Sequence, residues 1–311
     1  MQDAIEDARD ASFFKVTTFS KYKKNDVKRE LLSSLVESQL EPSCYWSTEM
    51  ICSGQYSDLW EIILFYFGKY IHAANPKMAV YLELRFNVFK EVALQEPVEL
   101  ELRNKPIIRQ LFSELMTVLC SSSKKLGVEI IKIKKDELDS IQGRLKAPAA
   151  EFAKPFFKPG DPMEIYAAVN EVAYSLHAKN VMDACFWLEW VMMYTSLKKP
   201  PPRCVPRKYV TGKKPSTEPI WIIWDIFIAY AKPNQLYSKI TTSTLRLFCL
   251  HYTPAANERR RHLLYFIVSL LCDETKTDVE FVPDKKKIEA VSAKCNVLYK
   301  DIRKHSIKLA M

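Results

Sequence analysis

Only 6 of the 311 residues are glycine, which is about 2% where a globular chain usually carries ~7%. Few positions can therefore take positive φ cheaply, which works against tight β-hairpins and against glycine-rich loops that cradle phosphates. Helices tolerate the shortage, and sheets of many strands do not. With 48% hydrophobic and 12% aromatic residues, a large core is available. The expected fold class is mainly α. The length fits one large domain or two of about 150 residues.

Apolar spacing places the helices. Val27, Leu31, Leu32, Leu35 and Val36 recur at helical intervals, predicting a helix over 26–40 with Asn25 as its N-cap. Further helices are expected over 43–53, ended by Gly54, and over 58–72, with Ser57 and Asp58 at its start. Residues 78–92 read as a helix buried on most sides. Pro106 suits the first turn of a helix reaching about 122. The alternating stretch Val128-Glu129-Ile130-Ile131-Lys132-Ile133-Lys134 is a strand candidate, followed by a charged helix over 136–146. After the prolines at 148, 155, 159 and 162, helices are expected over 163–178, 181–196, 221–231, 241–251 and 256–272. A second strand candidate covers 278–282, and a last helix covers 284–308.

The order of elements is doubled. Cys44-Tyr45-Trp46 is echoed by Cys185-Phe186-Trp187, and Leu59-Trp60-Glu61 by Ile223-Trp224-Asp225. Leu115 to Cys120 matches Ile267 to Cys272, and Val128-Glu129-Ile130 matches Val279-Glu280-Phe281. The offsets drift between 141 and 164 residues but keep their order. The pattern predicts two similar helical units: 21–147 and 163–282, with an extension at 1–20, a linker at 148–162 and a C-terminal helix in 283–311. Residues 26–135 and 165–282 are expected to superpose, except at an insertion over 198–219.

That insertion is basic and rich in proline. Lys198, Lys199, Arg203, Arg207, Lys208, Lys213 and Lys214 fall within it with no acid between 198 and 215. Its prolines forbid a helix and favour an extended arm. Such an arm suits an acidic protein face or phosphates, or it is a loop kept solvated by its charge. Only Tyr209 interleaves with the cations, which is thin for stacking on a single strand. Residues 1–150 balance 21 Lys/Arg against 21 Asp/Glu, whereas 151–311 carry 25 against 16. The excess points to an acidic partner, nucleic acid included, for the second half. Arg259, Arg260 and Arg261 open a helix, where they oppose the dipole and could read an anion.

Trp46, Trp60, Trp187, Trp190, Trp221 and Trp224 read as core anchors. Glu49, Glu61, Glu189 and Asp225 beside them are expected to bond indole N–H groups, backbone or a basic neighbour rather than to act as acid and base. No nucleophile, base and anion hole assemble from the motifs, so no catalytic residue, metal or cofactor is expected. The eight cysteines lack metal spacing and read as reduced, buried thiols. The longest apolar run, Leu263 to Cys272, is about half a membrane span, so no transmembrane segment is expected.

The stretches Phe14-Lys15-Val16-Thr17-Thr18-Phe19, Cys44 to Gly54, Asp58-Leu59-Trp60 and Asn75-Pro76-Lys77 resemble a protein family of the nucleocytoplasmic large DNA viruses. Lys154 to Pro159 and Asp183 to Trp190 fit the same likeness. The resemblance implies a virion-associated structural protein, assembled in the host cytoplasm. Its expected role is a minor capsid component that touches the major capsid protein and other minor capsid proteins. It carries no functional residues across. The alternative is a nucleic-acid-binding or transcription-associated factor acting through residues 151–311.

Overall fold

The computed structural model describes residues 4–134, 138, 140–209, 216–279 and 285–307. Twelve α-helices lie among the described residues: α1 Lys24–Val36, α2 Leu40–Cys52, α3 Tyr56–Tyr66, α4 Met78–Leu94, α5 Pro106–Ser121, α6 Tyr166–His177, α7 Val181–Leu197, α8 Ile220–Ala231, α9 Gln235–Phe248, α10 Ala256–Arg259, α11 Arg261–Cys272 and α12 Lys285–Arg303. The fold is mainly α. None of these helices is long and apolar enough to cross a membrane.

Most expected helices are present with ends shifted by a few residues. Asn25 is not a cap: α1 begins at Lys24, and Lys23 precedes it without a side-chain bond to the helix. Instead, the first turn is held by Lys24 and Lys28, which both pair with Asp58 of α3. Helix α4 is buried along one stripe rather than most of its circumference. Met78, Leu82, Phe86 and Phe89 are buried, while Leu84 and Leu94 are 54% and 77% exposed.

Val128–Lys134 is not a strand. It runs as irregular chain, with only a single antiparallel bridge, Thr17 to Lys23, among the described residues. Alternation needs a partner edge to make a strand, and no ladder forms against this one. The charged helix over 136–146 reduces to one 3-10 turn, Gln142–Arg144, in its described part. Gly143 interrupts the apolar spacing of Leu138, Ile141 and Leu145, and Pro148 follows within five residues, so no helix long enough to be stable forms among its described residues. The second strand candidate, 278–282, lies largely outside the described residues.

The chain divides into two compact units. The first takes Met1–Tyr70, Leu84–Lys124 and Asp278–Met311; the second takes Ile71–Glu83 and Lys125–Thr277. In the first unit, α1 packs on α2, α3 and α5, and α2 packs on α3 and α5. Helix α12 lies against α5 and α2. The chain ends are clasped here: the Ala8 N–H donates to the Ile307 carbonyl at 3.0 Å, and the Ile307 N–H donates to Asp7 at 2.9 Å. An aromatic cluster fills the space between α3, α4 and α5, in which the Trp60 ring meets Phe86, Phe89 and Phe112 at 5.0–5.9 Å between centroids.

In the second unit α6 packs on α7, α8 and α11, and α7 packs on α8 and α11. Helix α8 also meets α9, with the Trp224 ring 5.3 Å from Phe248. Each packing pair of α1, α2, α3 and α5 thus has a counterpart among α6, α7, α8 and α11. The first turn matches in detail. Helix α1 ends on Ser38 at φ 59° and α6 on Lys179 at φ 57°. The Gln39 N–H donates to the Ser34 carbonyl and the Asn180 N–H to the Ser175 carbonyl, both at 2.8 Å. This is the six-to-one bond that closes a helix through a left-handed residue.

Candidate functional site

In its described residues, 198–209 and 216–219, the insertion is a strap bound to its own unit rather than a free arm. The Cys204 N–H donates to the Thr217 carbonyl at 2.7 Å, closing the ends of the strap. Lys213 and Lys214 lie outside the described residues. At the centre is Arg207, which is buried and so is not one of the arm's cations open to an acidic face or phosphates. Its Nε donates to Asp225 at 2.8 Å. Nη1 donates to Asp161 and to the Val205 carbonyl, both at 2.7 Å. Nη2 donates to Asp161 at 2.8 Å and to the Phe156 carbonyl at 2.9 Å. A guanidinium has five N–H donors, and all five are used.

Asp161 is equally saturated, since it also accepts the N–H groups of Val205 and Lys158 at 2.8 Å each. Asp161, just before the helix expected over 163–178, has the chemistry of a cap, but its carboxylate faces the strap. Burial raises the Asp161 carboxyl, but the donors from Arg207 and the backbone outweigh this and hold it below the usual range. Burial lowers Arg207 while its two carboxylates raise it by more, so the group stays charged. Tyr209 donates its hydroxyl to Asp225 and packs near Trp221. Two segments, 154–161 and 203–209, are thus fastened side by side.

Lys198, Lys199, Arg203 and Lys208 point outward and are exposed. Lys154 and Lys158 on the adjoining segment are exposed as well. The arginines at α11 divide differently. Arg260 is buried, with its Nη1 donating to the Phe248 carbonyl at 2.6 Å. Arg261 reaches Glu189 at 3.2 Å, and Arg259 is exposed. They do not form one anion-reading row.

The carboxylates beside the tryptophans are engaged internally. Glu49 accepts the Ser20 N–H and hydroxyl at 2.6 and 2.8 Å. Glu189 accepts the Tyr265 hydroxyl at 2.7 Å; burial raises its carboxyl despite the help of Tyr265 and Arg261. Asp225 serves Arg207 and Tyr209. Glu61 is half-buried on α3. The indole donor with an acid partner is Trp221, which bonds Glu218 at 2.9 Å. All tryptophans except the half-buried Trp46 lie in the core.

Seven cysteines among the described residues are free, and all but Cys249 are buried. Burial pushes the thiols of Cys204, Cys249 and Cys272 up to about 12. No group of three potential metal ligands occurs among the described residues. The sequence could not show the Arg207–Asp161 pairing, because the partners are 46 residues apart and Asp161 sits where a cap residue would also be natural. Comparison with family models, curated proteins and solved structures finds no match to this chain.

Proposed function

We propose that this chain is a structural interaction protein of a large icosahedral DNA virus, a minor capsid component rather than an enzyme. On this reading its two helical units contact the major capsid protein and other minor capsid proteins, and the outward cations of the strap add to that surface. The observation that carries it is the pairing of two helical units with corresponding helix order and packing, whose buried charges are spent on internal bonds. We infer that the units arose by duplication of one helical unit. The matching left-handed turns at Ser38 and Lys179 and the matching positions of Trp60 and Trp224 support that origin. The resemblance to the viral family supplies the virion. Because Arg207 fastens the strap to its own unit, a neighbour meets its exposed side chains rather than a free arm.

The test is mass spectrometry of purified particles stripped stepwise with detergent, salt and nuclease. A shell component stays in fixed ratio with the major capsid protein after the genome is digested. Absence from nuclease-treated particles would defeat the proposal. Single substitutions of Glu49, Glu61, Glu189 and Asp225 are expected to alter stability alone.

A further inference from the structure

The strap and the linker beside it form a surface that neither makes alone. Arg207 and Asp161 hold 203–209 against 154–161, and Gly160 lies so close to Val205 that an added Cβ would come within 3.3 Å of its side chain. Along these segments and the start of the strap, Lys154, Lys158, Lys198, Lys199, Arg203 and Lys208 are exposed. None of the six forms an ion pair among the described residues. The acids in the middle of this region, Asp161 and Asp225, are consumed by Arg207 and Tyr209. Glu151 and Glu164 stand exposed at its flanks. The second unit as a whole holds 24 of the 46 Lys/Arg and 16 of the 37 Asp/Glu.

The surface is charged and offers no large apolar side chain at its centre as an anchor: its exposed apolar residues larger than alanine are Pro155, Pro159, Pro200, Pro201 and Pro206, with Leu197 and Met163 at its edges. Among the described residues of 150–161 and 198–209, no Leu, Ile, Val, Met or aromatic side chain is exposed. A protein partner usually needs such an anchor at the centre of its contact. A single strand needs exposed rings on which bases stack. Sequence-independent contact with duplex phosphates needs only cations on a firm support. We propose that this face binds the phosphate backbone of duplex DNA without reading its sequence. The proposal does not rest on the capsid reading.

The test uses the full-length chain and a fluorescent duplex of mixed sequence, followed by anisotropy across a salt series. Six phosphate contacts give a slope of roughly −5 in log affinity against log salt. Replacing all six cations by Gln is expected to flatten that slope by about one unit per lost contact. Neutralising the exposed Lys15, Lys23 and Lys90 of the other unit should leave it unchanged. Acetylation of the unsubstituted protein gives a readout independent of variant folding: duplex should shield Lys154, Lys158, Lys198, Lys199 and Lys208 but not Lys15, Lys23 or Lys90. Absence of duplex binding at low salt, equal losses in the two variants, or no shielding would overturn the proposal. So would competition by polyglutamate as strong, charge for charge, as by DNA, which would make the partner an acidic protein. A particle-bound protein that fails these tests removes this proposal and leaves the capsid reading standing.

Discussion

Ser38 and Lys179 hold the same left-handed place in two helix–turn–helix segments 141 residues apart, at φ 59° and 57°. Each turns its chain from the first to the second helix of its unit, and neither is glycine. A left-handed conformation costs a residue with a Cβ roughly 1–2 kcal/mol. In a chain so poor in glycine, these turns hold that cost as part of the fold. Ser38→Gly is expected to stabilise the protein by up to about 1 kcal/mol. The gain from Lys179→Gly should be smaller, because its part-buried ammonium donates to the Leu271 carbonyl, whereas the Ser38 hydroxyl accepts Lys124 at an exposed site. Gly54 supplies the opposite sign. At φ +68°, with an added Cβ 3.1 Å from Leu100, Gly54→Ala should cost at least about 1 kcal/mol. Urea unfolding of the three variants checks all three signs.

Removing one member of the Arg207–Asp161 pair strands the other charge in the interior, because their side chains are only 2% and 0% exposed. Losses of about 3–5 kcal/mol are expected for Arg207→Ala or Asp161→Ala. The double substitution should cost less than the sum of the two. A cycle of four unfolding curves measures this coupling. Limited proteolysis adds a local reading, since the fastened segment 203–209 should become newly open to cutting once its anchor is gone. Additive losses, or a strap that stays protected, would show that the pair does not hold it.

His72 gives the second unit a dependence on acid. It is 2% exposed, its backbone is left-handed at φ 46°, and its ring meets Phe266 edge-on. Neither ring nitrogen has a hydrogen-bond partner among the described residues. Burial, with Lys125 and His262 adding to it, lowers the imidazole from 6.5 to about 4. The folded form therefore keeps His72 neutral while the unfolded chain takes up a proton near its usual value. Stability from this group is full above about pH 6.5 and is lost as pH falls towards 4, to a limit of roughly 3 kcal/mol. Carboxylates such as Asp161 lose their own contribution at lower pH, so the parent alone cannot separate the two. In His72→Phe the fall between pH 6.5 and 4 should be shallower than in the parent. Equal slopes would mean that His72 does not take up the proton on unfolding.

Helix type and order were legible because glycine scarcity and apolar spacing act locally. Val27, Leu31 and Leu35 point to the face that is buried, and Pro106 sits in the first turn of α5 as expected. The misreadings share a cause in distant partners. Asn25 and Asp161 have the chemistry of caps, but Lys23 precedes α1 and Asp161 is claimed by Arg207. Ile131 and Ile133 alternate with Lys132 and Lys134 as a strand would, yet no edge among the described residues pairs with them. The basic strap was visible as composition. That one of its arginines is its anchor depended on two carboxylates, 46 and 18 residues away. The cations of 154–158 were visible too, but nothing local placed them beside 203–208.

Trp60 and Trp224 offer a test of whether the two units are built alike. Both are third-helix residues in their units, both are buried at 4% and 0% exposure, and both pack against phenylalanines of the helix that follows. Their indole N–H groups have no acceptor among the described residues, so ring packing, not hydrogen bonding, accounts for their stabilising effect. Truncating a buried tryptophan to alanine typically costs 3–5 kcal/mol, as the surroundings only partly collapse into the space. Trp60→Ala and Trp224→Ala are each expected in that range. Their sum should be additive to within about 0.5 kcal/mol, since each ring belongs to a different unit. Trp46→Ala is the contrast: that ring is half-buried against Tyr22 and Tyr45, and its loss should cost clearly less. Denaturant unfolding of the three single variants and the Trp60–Trp224 double variant decides the point. A large loss at Trp224 beside a silent substitution at Trp60 would mean that matching helix order hides two differently supported cores.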